Sequence, residues 1–416
     1  MEESEEGKSS INENEEEEKE QRVWSWGAGT EGQLGTGRLE DEYSPQLLHQ
    51  LHFLSSVTVL ACGGAHVLAL TSGGRVFSWG RGNSGQLGHG DNNNNNNNNN
   101  MLNSCCYPKP IAFFDHHSLT HVSAGWSHSA FVSDSGCLYT CGDGSFGQLG
   151  HGDYRSHCSP VKVEYFINKN VEQIACGMRH SLVLLKDCLG NQVYGFGSGK
   201  RGQLGISTER IKSVSLPQVT NGFEDVEIVG ISANGDHSAA ISADRHLYTW
   251  GKGFNRTPDV HCPRCLPSSL QFTKAALGWN HALLLTGDGE VLMLGGSHHG
   301  VLSDPEKMIP AKHLSENANE AALERVAALD GVKVVQIAVG AEHSALVTGK
   351  FQDGTIMTWG WGEHGQLGLG NARDQTNPQA VSLGDNDVKN KDTKFQVYCG
   401  SGFTYAIRTL CVPSQS

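Results

Sequence analysis

Histidines at one recurring position are the first residues whose type and spacing could support chemistry. The motif Gly-x-x-His occurs five times, and Asn234-Gly235-Asp236-His237 is a sixth copy; the histidines are His66, His128, His180, His237, His281 and His343. Six imidazoles would suit a metal site if they converged. A residue that recurs in every repeat, however, is typical of a hydrogen bond that fixes a turn in every repeat. The pattern therefore predicts a structural role and no metal ligation.

Two further motifs could carry chemistry, and neither has the context that its chemistry needs. The segment 261–265 contains one Cys-x-x-Cys, Cys262 to Cys265, without a second pair at zinc-like spacing. The Gly-x-Gly-x-x-Gly that ends at Gly147 lies between strand patterns and recurs, whereas a dinucleotide loop needs a following helix and an acidic residue about 20 positions on. Nucleophile elbows, HExxH and paired carboxylates are not found. We predict no catalytic residue, no metal and no cofactor.

Short strands and tight turns must position these motifs. Residues 122–153 read as a strand, a turn at Asp134-Ser135-Gly136, a second strand and a glycine-rich loop. The glycine loop returns at 29–35, 82–88, 144–150, 199–205 and 362–368, and the Gly-x-x-His position returns a seventh time with Phe403 in place of histidine. Seven copies at intervals of roughly 50–60 residues predict seven supersecondary units, each a four-stranded blade.

The two ends of the chain predict how these units close into a ring. Six copies are followed by an apolar strand that ends in glycine, but nothing of the kind follows Phe403. The missing strand is present at Val23–Gly27, ahead of the first unit. Pairing that strand into the last blade would remove both open edges. The predicted fold is an all-β, seven-bladed propeller closed by its N-terminal strand.

The domain boundaries follow from the same pattern. Residues 1–21 are predicted to be a disordered acidic segment, 22–411 the propeller, and 412–416 a short tail. Two insertions are expected in the propeller, an Asn-rich loop over 89–107 and a loop plus helix over 298–331. The helix is expected at 314–330, between Ser315 as N-cap and Gly331 as terminator. Its role is left open between padding one blade and docking a partner.

Composition limits the class of partner and the compartment. The net charge is −13, and ten glutamates between Glu2 and Glu20 account for most of it, so the body is only mildly acidic. Binding to a phosphate backbone would need a basic patch, so we expect no direct nucleic-acid partner. The sequence has no secretory signal and no apolar run of about 18 residues, so no membrane association is expected. We expect a monomer with free thiols, located in the cytoplasm, the nucleus or both.

The repeated motifs resemble the family of regulator-of-chromosome-condensation (RCC1) repeats. The resemblance rests on Gly-x-Gly-x-x-Gly-Gln-Leu-Gly, on Gly-x-x-His-Ser and on the Trp-Gly strand, and it covers residues 22–411. It implies a seven-bladed propeller. The two residues between Gly and His of each copy should then line one face near the axis. The candidate partner-binding residues there are Trp126, Ser127, Met178, Arg179, Asp236, Trp279, Asn280 and Glu342.

Three functions use these positions differently. The first, which we favour, is a non-catalytic regulatory scaffold for a protein partner. The resemblance also implies guanine-nucleotide exchange on a small GTPase, for which Asp236 and Glu342 would be the acidic residues, although they belong to the fourth and sixth blades. The plant branch of the family implies an ultraviolet-B receptor. That function is disfavoured because Trp126 and Trp279 lie in the second and fifth repeats, and we expect their indoles to be apart.

Overall fold

The computed structural model describes residues 19–49, 56–90, 104–186, 190–207, 209–254, 257–296, 323–349, 354–384 and 393–411. These residues form seven antiparallel four-stranded sheets arranged as the blades of a propeller. Strands β1 and β2 are Lys19–Gly27 and Glu42–Leu47. The first blade follows with β3 to β6, which are Val57–Cys62, His66–Thr71, Val76–Gly80 and Cys105–Pro110.

The next five blades repeat this plan. Strands β7 to β10 are Leu119–Ala124, His128–Ser133, Leu138–Gly142 and His157–Lys162. Strands β11 to β14 are Asn170–Cys176, His180–Lys186, Gln192–Ser198 and Ser213–Val219. Strands β15 to β18 are Ile228–Asn234, His237–Ser242, Leu247–Gly251 and Val260–Cys265. Strands β19 to β22 are Phe272–Leu277, His281–Thr286, Val291–Gly295 and Leu323–Arg325. Strands β23 to β26 are Val334–Val339, His343–Thr348, Ile356–Gly360 and Gln375–Ala380.

The seventh blade joins the two ends of the chain. Its inner strands are β27, Thr393–Cys399, and β28, Phe403–Cys411, and β1 pairs with β28 from Lys19↔Cys411 to Gly27↔Phe403. The predicted closure by the N-terminal strand is therefore confirmed, as is the all-β, seven-bladed fold. Burial supports it, because Trp24 and Trp26 of β1 are packed between the sixth and seventh blades.

Each blade packs on the next through apolar strand faces. Its second and third strands are almost wholly buried, as in the run His128–Ser133, where every residue is buried. The leucine of each Gly-Gln-Leu-Gly loop is also buried, and the glutamine folds back so that its Oε1 accepts a backbone N–H two residues earlier, as in Gln86 to Ser84 at 2.9 Å. Glutamine and leucine therefore fix the loop and anchor it to the core, which explains why the pair recurs.

Glutamine side chains join neighbouring blades by bonding to the backbone of an innermost strand. Gln21 accepts from the N–H of Val57 at 2.7 Å and donates to its carbonyl at 2.9 Å, which ties the seventh blade to the first. Gln336 does the same with Val397 at 3.0 and 2.9 Å, between the sixth and seventh blades. These bidentate contacts satisfy backbone groups that the inner strands leave unpaired.

Three predicted boundaries are wrong. Strand β1 begins at Lys19, so residues 19–21 are part of the sheet and not of a disordered segment, because β28 is long enough to pair with them. Strand β6 begins at Cys105, inside the predicted Asn-rich loop. Leu323–Arg325 is a strand and Ala327–Leu329 a 3-10 helix, where we predicted helix, because the fifth blade needs a fourth strand and buries Leu323 against Leu294. Residues 1–18, 91–103, 297–322 and 412–416, which hold the rest of these predictions, lie outside the described residues.

Short 3-10 helices, Ala112–Phe114 and Glu164–Phe166 among them, follow the outermost strand of a blade and lead into the next. No helix in the described part of the chain is long and apolar enough to cross a bilayer.

Candidate functional site

Two sets of loops lie on the same face of the ring. Because the strands of a blade are antiparallel, the loop between its first and second strands lies at the same end as the loop between its third and fourth strands. The first set contains the residues between Gly and His, and the second contains the Gly-Gln-Leu-Gly loops. We call this end the Gly-x-x-His face. The connections from one blade to the next, including Ala112–Phe114, lie at the opposite end.

Backbone hydrogen bonds join neighbouring Gly-x-x-His loops around the axis. They cross five of the seven blade junctions, namely Gly64 N to Gly125 O, Met178 N to Gly235 O, Trp279 N to Ala341 O, Ala341 N to Ser401 O and Ser401 N to Gly63 O, at 2.8–3.1 Å. The last of these bonds crosses the junction between the seventh and first blades. The side chains on these loops are therefore presented from a fixed frame, as a binding surface requires.

The six recurring histidines lie beneath this frame and are all at most 1% exposed. We predicted that each histidine would form a hydrogen bond within its own turn. The Nε2 atoms instead reach the next blade. His66 contacts Ser129 at 2.9 Å, His128 contacts Ser181 at 3.0 Å and His180 contacts Ser238 at 3.0 Å. In the fifth blade Ala282 replaces the serine, and His237 of the fourth blade contacts the carbonyl of Trp279 instead, at 3.0 Å.

In the five Gly-x-x-His copies, the first glycine makes room for the imidazole ring. A Cβ on Gly125 would lie 2.2 Å from Cε1 of His128, and one on Gly340 would lie 2.2 Å from Cε1 of His343. Burial lowers the pKa of His66, His180, His281 and His343 to about 3 and of His128 and His237 to about 4. These neutral, buried rings hold the blades together and cannot reach a ligand on the face.

Trp126 and Trp279 lie in contact over the axis. Their ring centroids are 5.4 Å apart and their planes are tilted by 48°. Our expectation that the two indoles would be apart is wrong, because the second and fifth blades stand on opposite sides of a narrow channel and both side chains point across it. Trp126 packs on Gly64, where a Cβ would lie 2.9 Å from the indole, and both indoles are half-buried.

The channel beneath the indoles is lined by the innermost strand of every blade. Its volume is about 390 Å³, and its walls include Trp126, Met178 and Trp279 at this end. Lys274 lies further along the channel, and burial lowers the pKa of its ammonium group. The indole pair therefore forms the apolar centre of the Gly-x-x-His face, at the mouth of the channel.

A polar network connects three consecutive blades beside the indoles. Lys252 donates to the side-chain oxygen of Asn280 at 2.8 Å and to the carbonyl of Trp279 at 3.2 Å. Asn280 in turn donates to Glu342 at 2.8 Å. Asp236 accepts from Gln203 at 3.0 Å. Glu342 and Asp236 are thus held in place, and Lys252 of the fourth blade is connected to Glu342 of the sixth through Asn280 of the fifth.

Arginines stack on aromatic rings on the other side of the mouth. Arg81 lies 5.5 Å from the ring centroid of Trp126 and donates to the carbonyl of Trp126 at 3.3 Å and to Ser127 at 3.5 Å. Arg179 is exposed and lies 4.7 Å from the ring of Phe146. Stacking of this kind keeps a guanidinium extended along the surface.

The sequence-based candidates missed one position of the site. The residue after the glycine that ends each third strand donates its N–H to the carbonyl just before the histidine, or before Phe403. These residues are Arg81, Asp143, Ser198, Lys252, Gly296, Trp361 and Ala28. Except at Gly296, they place a second set of side chains on the same face as the predicted pairs. The signal was available, since each is the variable residue of a Gly-x-Gly sequence or of its eroded copy in the fifth blade.

Among the described residues, no three side chains of His, Cys, Asp or Glu are arranged to hold a metal ion. Ten cysteines in the described part of the chain, from Cys62 to Cys399, are free thiols. Burial raises the pKa of Cys176 and Cys399, near the channel, to about 12.

Seven four-stranded blades closed into a ring, with different side chains at the equivalent positions of one face, define a seven-bladed β-propeller built from repeats. A family model described as RCC1-like domain matches residues 22–406. The chain belongs to this RCC1-like domain family.

Relatives and solved structures agree with this assignment. The chain is 31% identical over 364 residues to the ultraviolet-B receptor UVR8 of Arabidopsis thaliana, an alignment that covers 84% of this chain and 74% of the relative. It is 28% identical over 421 residues to a secretion-regulating guanine nucleotide exchange factor of Bos taurus, covering 93% and 83%. The structure of Prp20p from Saccharomyces cerevisiae superposes with a TM-score of 0.75 at 24% identity, covering 95% of this chain and 92% of that one. The last similarity concerns the fold alone.

Proposed function

We propose that the protein is a non-catalytic interaction propeller that binds a protein partner on its Gly-x-x-His face. The observation that carries the proposal is the contact between Trp126 and Trp279 at the centre of that face, with fixed polar residues around it. Buried aromatic anchors at the centre and polar groups at the rim are the usual anatomy of a protein interface.

The distribution of charge supports a protein as the partner. The residues around the indoles carry both signs, with Arg81, Arg179 and Lys252 on one hand and Asp236 and Glu342 on the other. A surface that binds a phosphate backbone would be basic throughout. The histidines, which would be the natural acid–base groups, are buried and neutral, and this favours binding over catalysis.

Site-specific photo-crosslinking tests this proposal. A photoreactive phenylalanine analogue at position 126 is compared with the same analogue at position 113, since Phe113 is 44% exposed on the opposite face. We expect a crosslinked protein partner from position 126 only, and its loss in the Trp279→Ala background. Equal capture from both positions, or capture from 113 alone, would place the binding surface elsewhere.

A second candidate is guanine-nucleotide exchange on a small GTPase, in line with the similarity to an exchange factor. It is favoured by the network in which Asn280 and Lys252 stand between the acidic residues of the fourth and sixth blades. Release of a fluorescent guanine nucleotide from a panel of small GTPases tests it, with Asp236→Ala and Glu342→Ala as variants. Release that is unaffected by either variant would argue against it.

A third candidate is ultraviolet-B reception, in line with the similarity to UVR8. The observation in its favour is the 5.4 Å separation of the two indoles. Light scattering before and after ultraviolet-B irradiation tests it, since a change in oligomeric state that Trp126→Phe abolishes is the expected response. An unchanged mass would argue against this third candidate.

A further inference from the structure

The charges on the Gly-x-x-His face are separated into two sectors. In the third blade the loops of this face carry five basic residues against one acidic residue, Glu209; the basic residues are Arg179, Lys200, Arg201, Arg210 and Lys212. In the sixth and seventh blades the loops carry six acidic residues against Arg38 and Arg373; the acidic residues are Glu31, Glu40, Asp41, Glu342, Glu363 and Asp374. We call these the basic sector and the acidic sector.

The two sectors face one another across the axis. In a ring of seven blades, the third lies opposite the junction of the sixth and seventh. The second and fifth blades, which supply Trp126 and Trp279, stand to either side of that line, and their indoles meet on the axis. A straight path from the basic sector to the acidic sector therefore passes over the apolar pair.

Several charges in both sectors are available to a ligand. Some charges of the two sectors are engaged within the protein, since Arg201 is paired with Asp259 at 3.1 Å and Asp41 with His364 at 2.8 Å. In the described part of the chain, Lys200 and Glu363 are exposed and make no ion pair, and the guanidinium of Arg179 is stacked on Phe146 without a carboxylate. The neighbouring charges closer to the axis are already engaged, Lys252 by Asn280 and Asp236 by Gln203.

We propose that this face binds an extended segment of the partner protein in which acidic residues, an apolar residue and basic residues follow one another. The acidic end pairs with Arg179 and Lys200, the apolar side chain rests on the indoles, and the basic end pairs with Glu31 and Glu363. The proposal rests on the proposed function and adds the chemistry of the partner. Charge complementarity selects this occupant, because a linear segment meets the three features in the order in which they lie on the face.

Synthetic peptides of about twelve residues, roughly 40 Å long when extended, are the probe. One carries three Asp, a central Leu-Trp and three Lys in blocks. A second has the same composition with the charges alternating, and a third has the blocks in reverse order to cover chain direction. We expect one block peptide to bind at least about tenfold more tightly than the alternating peptide at low salt, with the difference shrinking at high salt.

Charge-reversal variants assign the binding to the sectors. Arg179→Glu with Lys200→Glu, and separately Glu31→Lys with Glu363→Lys, should each remove the preference for the block peptide. Arg75→Glu with Lys333→Glu is the matched control, since both residues are exposed on the opposite face, and it should retain the preference. Circular dichroism and thermal unfolding of each variant check that the propeller is folded.

The possible results separate this inference from the proposed function. Equal binding of block and alternating peptides, or a preference that survives both sector reversals, overturns the inference. If position 126 crosslinks a partner while no block peptide binds, the interaction propeller stands and the linear segment fails. Light scattering covers a further case. If the protein is a dimer that dissociates when a sector is reversed but not when a block peptide is added, the occupant of the Gly-x-x-His face is a second copy of the chain, and the inference fails. If neither crosslinking nor peptide binding is observed, both proposals fail.

Discussion

The imidazole of His66 belongs to the first blade, but its Nε2 atom lies 2.9 Å from the hydroxyl of Ser129 in the second. The same hydroxyl lies 2.7 Å from the carbonyl oxygen of Gln86, to which it donates its proton. The imidazole must therefore donate from Nε2, which fixes the tautomer of the neutral ring. This chain of bonds joins two strands and a glycine loop across a blade junction, and close equivalents recur around the ring.

Removing the imidazole of His66 should destabilise the protein more than removing the hydroxyl of Ser129. We expect His66→Ala to lower the free energy of unfolding by about 3–5 kcal/mol, because it leaves a cavity and removes the N–H group that donates to the Ser129 hydroxyl. Ser129→Ala should cost about 1–2 kcal/mol. His66→Phe should cost less than His66→Ala, since Phe403 fills the equivalent position of the seventh blade. Urea unfolding of both single variants and the double variant measures the coupling, and strictly additive losses would contradict the bond.

The glycine of the motif provides a second test of the same packing. Gly125→Ala would place a Cβ 2.2 Å from the ring of His128 and 2.6 Å from the carbonyl of Gly177. Because neither can move freely, we expect a loss of about 1–3 kcal/mol. Gly230→Ala is the matched control, since a Cβ there meets nothing within 4 Å. The two variants are compared by thermal unfolding, and equal melting temperatures would show that the imidazole of His128 has room to shift.

The repeats in the sequence were enough to predict the blades and their closure, but not how neighbouring blades contact one another. Spacing alone places His66 and Ser129 one repeat apart and gives no direction for the imidazole, so the bond was expected inside one turn. The contact between Trp126 and Trp279 was missed for a similar reason, since sequence distance does not measure the width of the channel. The strand Leu323–Arg325 was missed because apolar residues on either side of it, Ala322, Val326 and Leu329 among them, have the spacing of a helical stripe.

The buried histidines should make stability depend on pH in one direction. Their pKa values are lowered to about 3 or 4 from 6.5, chiefly by burial, as for His66 and His128. Below pH 6.5 the unfolded chain therefore binds more protons than the folded chain. Stability is complete above pH 6.5 and is lost as the pH falls towards 4, at up to about 1.4 kcal/mol per pH unit for each histidine.

Urea midpoints at pH 7.5, 6.0 and 5.0 check this dependence. His66→Phe should show a shallower fall than the wild type, because one titrating group is gone. A midpoint that stays constant between pH 7.5 and 5.0 would mean that these rings are protonated in the folded protein.

The pairing of β1 with β28 should decide whether the ring is stable. Without residues 1–27, β28 would expose a row of unpaired backbone groups and Trp24 and Trp26 would leave a gap beside the sixth blade. We expect a chain that starts at Ala28 to lose cooperative unfolding, and a synthetic peptide of residues 19–27 to restore it. Gln21→Ala is the mild version of the same test and should cost about 1–2 kcal/mol through its two bonds to Val57. Gln336→Ala, which removes the equivalent bonds to Val397, should cost a similar amount. If the shortened chain melts at the wild-type temperature, the N-terminal strand does not close the ring in solution.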